Sequence, residues 1–126
     1  MDVLSSRVLY RSDDFESLRA FYEDTIGLAV YREYGVDGKV TGVVFFLGGG
    51  FLEVSRAAAR SPAITLWLQV ADVRAEEARL QAAGVQVVKA SEHMPWGLIE
   101  CWVADPEGNE LRLVEVPPDH PLRRRL

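Results

Sequence analysis

A chain of 126 residues with 48% apolar and 26% charged residues has the size and balance of one globular domain, which argues against a disordered segment. Its formal charge of −5, with acids scattered along the chain, leaves no basic stripe to neutralise a phosphate backbone and argues against nucleic acid as a partner. A single cysteine, Cys101, rules out an internal disulfide, and no apolar stretch approaches membrane-spanning length.

The opening residues Met1 to Ser6 carry no positive segment followed by an apolar one, so a soluble cytoplasmic protein with no membrane partner is expected. Ile99, Trp102 and Val103 around Cys101 read as a packed strand with an inert buried thiol. The one dense basic run, Arg123 to Arg125, reads as a solvated tail and is given no function.

In chain order, residues 7–12 alternate, with Val8 and Tyr10 on one side and Arg7, Leu9 and Arg11 on the other, which predicts a half-buried strand. Asp13 or Asp14 then caps an amphipathic helix carrying Phe15, Leu18, Phe21, Tyr22 and Ile26, ended by Gly27. Three strands follow: Leu28–Tyr34, Val40–Leu47 after Asp37-Gly38, and Phe51–Ser55 after Gly48-Gly49-Gly50. The triple glycine lacks the following helix of a phosphate-binding loop and reads as a hairpin connection.

After a loop at 57–62 the same order begins again. Ile64–Val70 alternates as a strand, Asp72 is placed to cap a helix with Val73, Ala75, Ala78, Leu80 and Ala82, and Gly84 ends it. Strands at Val85–Lys89, Leu98–Ala104 and Leu111–Val116 complete the repeat, with Pro95-Trp96-Gly97 and Asp105-Pro106-Glu107-Gly108-Asn109 as connections and Pro117, Pro118 and Pro121 ending regular structure.

The expected fold is therefore α+β, a single domain over 1–126. It comprises two tandem βαβββ units, about 5–56 and 62–117, and a tail, 118–126. Each unit alone is a curved mixed sheet with its helix outside. Two such sheets facing one another leave a cleft lined by the residues that point away from the helices. Alternation assigns to that lining Arg7, Leu9, Arg11, Phe51, Glu53, Thr65, Trp67, Gln69, Glu100, Trp102 and Arg112. Tyr31, Tyr34 and Phe45 can add to the wall, although alternation does not settle their facing.

This element order, the Asp14 to Phe21-Tyr22 spacing, and Pro95-Trp96-Gly97 leading to Asp105-Pro106-Glu107-Gly108-Asn109 resemble the vicinal-oxygen-chelate superfamily of glyoxalases, bleomycin-resistance proteins and ring-cleaving dioxygenases. The resemblance spans nearly the whole chain and is strongest to the bleomycin-resistance-like, small-molecule-binding branch. It implies four metal-ligand positions, which fall here on Arg7, Glu53, Thr65 and Arg112. Only Glu53 could bind a metal, because a guanidinium has no lone pair to offer and repels a cation. No metal and no other cofactor is therefore expected. His93, in the loop before Pro95, and His120, in the proline-broken tail, stand at none of these positions.

The residues then admit three readings. In the first, the chain is a metal-free binding protein that captures an aromatic or polycyclic natural product. Trp67, Trp96 and Trp102 would stack on the ligand, with Arg7, Glu53, Glu100 and Arg112 for polar contact, and the resemblance implies a homodimer. The acidic residues Glu92, Glu100 and Glu110 could attract a cationic drug, as the acidic grooves of bleomycin-binding relatives do, although scattered surface carboxylates are the commoner reading. Beside it stands a purely structural reading, with Arg7, Glu53 and Arg112 as a buried ion cluster and the tryptophans as core. The competing class is an enzyme, either a lyase or dioxygenase with an unusual metal site or an isomerase using Glu53 or Glu100 as general base. No catalytic residue is assigned.

Overall fold

The computed structural model describes residues 1–122, so the Arg123 to Arg125 run lies outside the described residues. The chain divides into two compact units at the junction of Pro62 and Ala63.

The first unit begins with β1 (Arg7–Ser12), whose Tyr10 and Ser12 are buried while Arg7, Leu9 and Arg11 are exposed. Helix α1 (Phe15–Ala20) follows, with Phe15 and Leu18 buried. The sequence predicts one continuous amphipathic helix as far as Gly27. Instead the last six residues, Phe21–Ile26, wind as a π-helical segment. The wider turn keeps Phe21 and Tyr22 both buried, and Tyr22 packs on Phe45 with ring centroids 6.4 Å apart. Gly27, at φ +87°, closes it: the amides of Gly27 and Leu28 both donate to the Tyr22 carbonyl.

Strands β2 (Val30–Val36), β3 (Lys39–Leu47) and β4 (Gly50–Arg56) complete a sheet of order β1-β4-β3-β2, in which β1 pairs parallel to β4 and the other pairs are antiparallel. Tyr10, Val43, Phe45, Leu52 and Val54 form its buried core with the helix residues. Each such side chain contributes about 1.5–3 kcal/mol by leaving water.

The second unit repeats the plan. Strand β5 (Thr65–Gln69) leads to α2 (Val73–Ala82), where Asp72 caps as expected and its carboxylate accepts the Ala75 amide at 3.0 Å. Strands β6 (Gln86–His93), β7 (Ile99–Ala104) and β8 (Glu110–Glu115) give the order β5-β8-β7-β6, again with one parallel pair, β5 on β8. Leu66, Val73, Leu80, Cys101, Val103, Leu111 and Leu113 are its buried core.

Strand β6 runs four residues past its expected end at Lys89. Irregularities in its pairing with β7, between Val87 and Lys89 and between Lys89 and Glu92, break the two-residue alternation that sequence reading relies on. His93 is consequently the last residue of β6, paired with Ile99, and not a loop residue. Among the described residues, no helix is long and apolar enough to cross a membrane.

Candidate functional site

In β1, β4 and β5 the side chains alternate between a helix-covered face and an open one. In the first unit, register pairs Arg7 with Phe51 on β4 and Phe51 with Phe46 on β3, so these three lie in one row on the open face. Glu53 lies on the same face, beside Val44. Its side chain is 18% exposed and both oxygens are taken: Oε1 accepts Arg7 Nη1 at 2.8 Å and Oε2 accepts the Tyr34 hydroxyl at 2.6 Å.

Burial alone would raise the Glu53 carboxyl. The hydrogen bonds from Tyr34 and Arg7, with the charges of Arg7 and Arg32, outweigh burial and hold it below the ordinary carboxylate value. The Tyr34 hydroxyl is pushed upward, by burial first and then by its bond to Glu53. Tyr34 reaches Glu53 because it lies over Gly42, where an added Cβ would stand 2.1 Å from the ring carbon Cζ. Tyr31, Phe46 and Phe51 form a packed aromatic platform nearby, with centroids 4.9 to 5.6 Å apart, and Tyr31 and Phe46 remain about half exposed. Phe45 is fully buried on the helix side and takes no part.

On the open face of the second unit, register pairs Trp67 with Arg112, Arg112 with Trp102 and Trp102 with Lys89, a row crossing all four strands. The Arg112 guanidinium carbon lies 3.9 Å from the Trp102 ring centroid and Lys89 Nζ lies 5.5 Å from it. Arg112 Nε donates to Glu110 at 2.6 Å. Trp67 is 51% exposed.

Trp96 stands at the tip of the β6–β7 hairpin, which Met94 and Leu98 close through the Met94 amide and Leu98 carbonyl. Glu100 is only 3% exposed, and both its oxygens accept indole N–H groups, from Trp96 at 2.7 Å and from Trp102 at 2.9 Å. The carboxylate thus sets the orientation of two tryptophans. Behind the hairpin tip, a His120 ring nitrogen lies 3.2 Å from the Trp96 carbonyl oxygen, which ties the tail to it.

The three acids that could attract a cation are each engaged by protein groups. Glu92 pairs with Lys89, Glu110 pairs with Arg112, and Glu100 is buried beneath the two indoles. The turn Asp105 to Asn109 is also structural. The Asp105 carboxylate accepts the amides of Glu107 and Asn109 and the Asn109 side-chain amide, while Asn109 Oδ1 accepts the Ile64 amide at 2.8 Å and fixes the approach to β5.

The four positions at which the resemblance implies a metal do not suit one. Arg7 and Arg112 offer no lone pair, Thr65 offers a single hydroxyl, and Glu53 already accepts from an arginine and a tyrosine. Among the described residues, no group of three or more His, Cys, Asp or Glu side chains is placed to hold a metal ion.

Sequence reading names part of each row, Arg7, Phe51 and Glu53 in the first unit and Trp67, Trp102 and Arg112 in the second, but not the partner of each. Alternation leaves the facing of Tyr34 open and does not point to Gly42, Phe46 or Lys89. A glycine inside the apolar run of β3 was the available signal, since it marks a strand position where another group approaches the backbone closely.

Residues 5–113 match the sequence model of the family described as the Glyoxalase/Bleomycin resistance protein/Dioxygenase superfamily. Among solved structures, TioX from Micromonospora sp. ML1 superposes with a TM-score of 0.77 at 21% identity, covering 90% of this chain and 98% of that one. A superfamily member from Sphaerobacter thermophilus gives 0.72 at 25% identity, again with 90% and 98% coverage. A lactoylglutathione lyase from Agrobacterium tumefaciens gives 0.70 at 21% identity, with 91% and 94% coverage. No curated protein matches the sequence.

Proposed function

Because the chain belongs to the glyoxalase/bleomycin resistance protein/dioxygenase superfamily, we propose that it serves the superfamily's binding role, without a metal. It captures an aromatic or polycyclic small molecule, such as a cytotoxic natural product, and confers resistance by stoichiometric sequestration in the cytoplasm as a homodimer. One observation carries this reading. The open faces and the β6–β7 hairpin tip hold half-exposed aromatic side chains, Tyr31, Phe46 and Trp67 on the faces and Trp96 at the tip, while the acids Glu53, Glu100 and Glu110 are already engaged by protein donors.

Exposed aromatic surface of this kind marks a contact site, and stacking adds about 0.5–1.5 kcal/mol per ring beyond area burial. Capture therefore needs no chemistry. The enzyme alternative needs a carboxylate held above its ordinary value to act as a base, and Glu53 is displaced in the other direction.

The test is a titration of intrinsic tryptophan fluorescence with polycyclic and bleomycin-type antibiotics, repeated after chelator treatment, with metal content and molar mass measured on the same sample. Saturable quenching near one ligand per chain that survives the chelator, with no product formed, is expected. Tightly held endogenous metal with no response to any ligand would overturn the reading.

A further inference from the structure

We infer that the open face of the second unit takes a planar aromatic anion, a carboxylate or phenolate, stacked on Trp67 and bound at its acidic edge by Arg112. The inference rests on the binding reading above and narrows it to one ligand chemistry.

Of the five aromatic and cationic side chains on this face and the hairpin beside it, Trp102, Trp96 and Lys89 are held by protein partners. Trp102 is gripped by the guanidinium of Arg112 on its ring, by Lys89 at longer range, and by Glu100 at its N–H. Trp96 is held by Glu100 through its N–H and by His120 through its carbonyl. Lys89 is paired with Glu92 at 2.5 Å.

Trp67 differs. It is 51% exposed and, among the described residues, makes no ring contact and no hydrogen bond through its N–H. Its register partner Arg112 uses Nε for Glu110 and its flat surface for Trp102. Its two Nη groups, four N–H donors, have no protein acceptor among the described residues.

Beside the exposed ring Thr65 and Gln69 are neutral, so the charged hydrogen-bonding capacity left open next to it is the guanidinium's. Trp67 and Arg112 present donors, and the carboxylates nearest in the row are committed, Glu110 to Arg112 and Glu100 to two indoles. A ligand that complements this edge must bring acceptors, and a guanidinium held in place by Glu110 and Trp102 matches a carboxylate through its planar pair of Nη groups. The stack on Trp102 fixes the guanidinium in advance, so little of its side-chain freedom remains to be lost on binding. A cationic ligand would meet Arg112 and Lys89, and would have to compete with them for Glu110 and Glu92.

The experiment uses the full-length protein and three probes of one shape, 2-naphthoate, 2-naphthamide and 2-(aminomethyl)naphthalene, titrated by calorimetry and by tryptophan fluorescence. The anion is expected to bind about tenfold or more tighter than the amide, with the amine weakest. In Arg112→Gln the preference of anion over amide disappears while amide binding stays. In Trp67→Ala all three probes weaken, and the chain still folds because the side chain is exposed.

Equal binding of the three probes to the wild-type protein would overturn the anion assignment and leave aromatic capture standing. So would an antibiotic panel that binds only as neutral or cationic species. Failure of both the probes and the panel would overturn the binding reading itself. Concentration-dependent protection of Trp67 from acrylamide quenching, lost in Trp67→Ala, would show that a second copy of the chain covers the face, and would overturn the inference too.

Discussion

Glu100 accepts the indole N–H of Trp96 at 2.7 Å across the neck of the β6–β7 hairpin, and that bond ties the hairpin tip to a carboxylate buried in the sheet. The other oxygen of the same carboxylate receives Trp102. Among the described residues, no lysine, arginine or histidine lies within ion-pair distance of Glu100, so its side-chain partners are the two indoles in place of a counter-charge.

Replacing Glu100 should therefore loosen two tryptophans at once. Glu100→Gln keeps the shape, but its amide nitrogen must face one of the two indole N–H groups, setting donor against donor. The expected cost is about 1–3 kcal/mol of unfolding free energy, read as a lower urea midpoint at unchanged slope, with a red shift in tryptophan emission as Trp96 gains water. An unchanged midpoint and spectrum would show that the carboxylate does not hold the indoles.

Much of this face was legible in the sequence because period-two alternation is a strong signal wherever one side of a strand is covered. Arg7 and Leu9 on β1, Trp67 on β5 and the Glu100–Trp102 parity on β7 all fall where alternation puts them. What it could not supply is the direction of long side chains. The spacing of Trp96, Glu100 and Trp102 was visible, yet Glu100 reads as an anchor for a ligand until its two oxygens are seen to be taken. The π-helical segment after Ala20 and the extension of β6 to His93 were hidden for a related reason. The helix widens its turn and β6 slips by one residue at each of two places, and the periodic signal carries no record of such slips.

The lowered carboxyl of Glu53 makes a prediction about acid. A carboxylate whose pKa is depressed in the folded state binds fewer protons there than in the unfolded chain, where the value is about 4.3, so its contribution is full above that pH and is lost as pH falls through the folded value. Glu53→Gln removes the titration. The difference in unfolding free energy between the wild-type protein and Glu53→Gln should be constant above about pH 5 and shrink steadily below about pH 4.3. A difference that stays flat down to acid unfolding would mean that Arg7 and Tyr34 do not favour the charged form.

Cys101 lies fully buried on the helix side of β7, and its thiol is pushed up to about 11, by burial first and then by the charge of Glu77. At pH 8 only about one thiol in a thousand is ionised, and none is reachable without opening the sheet. A disulfide reagent is expected to label the native protein at the rate of its opening and the urea-unfolded protein at once. Prompt labelling of the native state at pH 8 would contradict the packing of β7 against α2.

Tyr34 and Gly42 should prove coupled. An alanine Cβ at position 42 would stand 2.1 Å from Tyr34 Cζ, so the ring must move away and its bond to Glu53 is lost. Gly42→Ala is expected to cost about 1–3 kcal/mol in the wild-type background, from overpacking and from the lost hydrogen bond. With Tyr34→Ala already in place the obstacle is gone, and the same change should become neutral or stabilise the strand by about 0.5–1 kcal/mol, as alanine does over glycine in a regular element. The four unfolding free energies of this double-mutant cycle give the coupling directly, expected at about 2 kcal/mol. Additive effects would show that the ring does not depend on the missing Cβ. The open-face placement of Tyr34, and with it the engagement of Glu53 that disfavours a metal, would then need another cause.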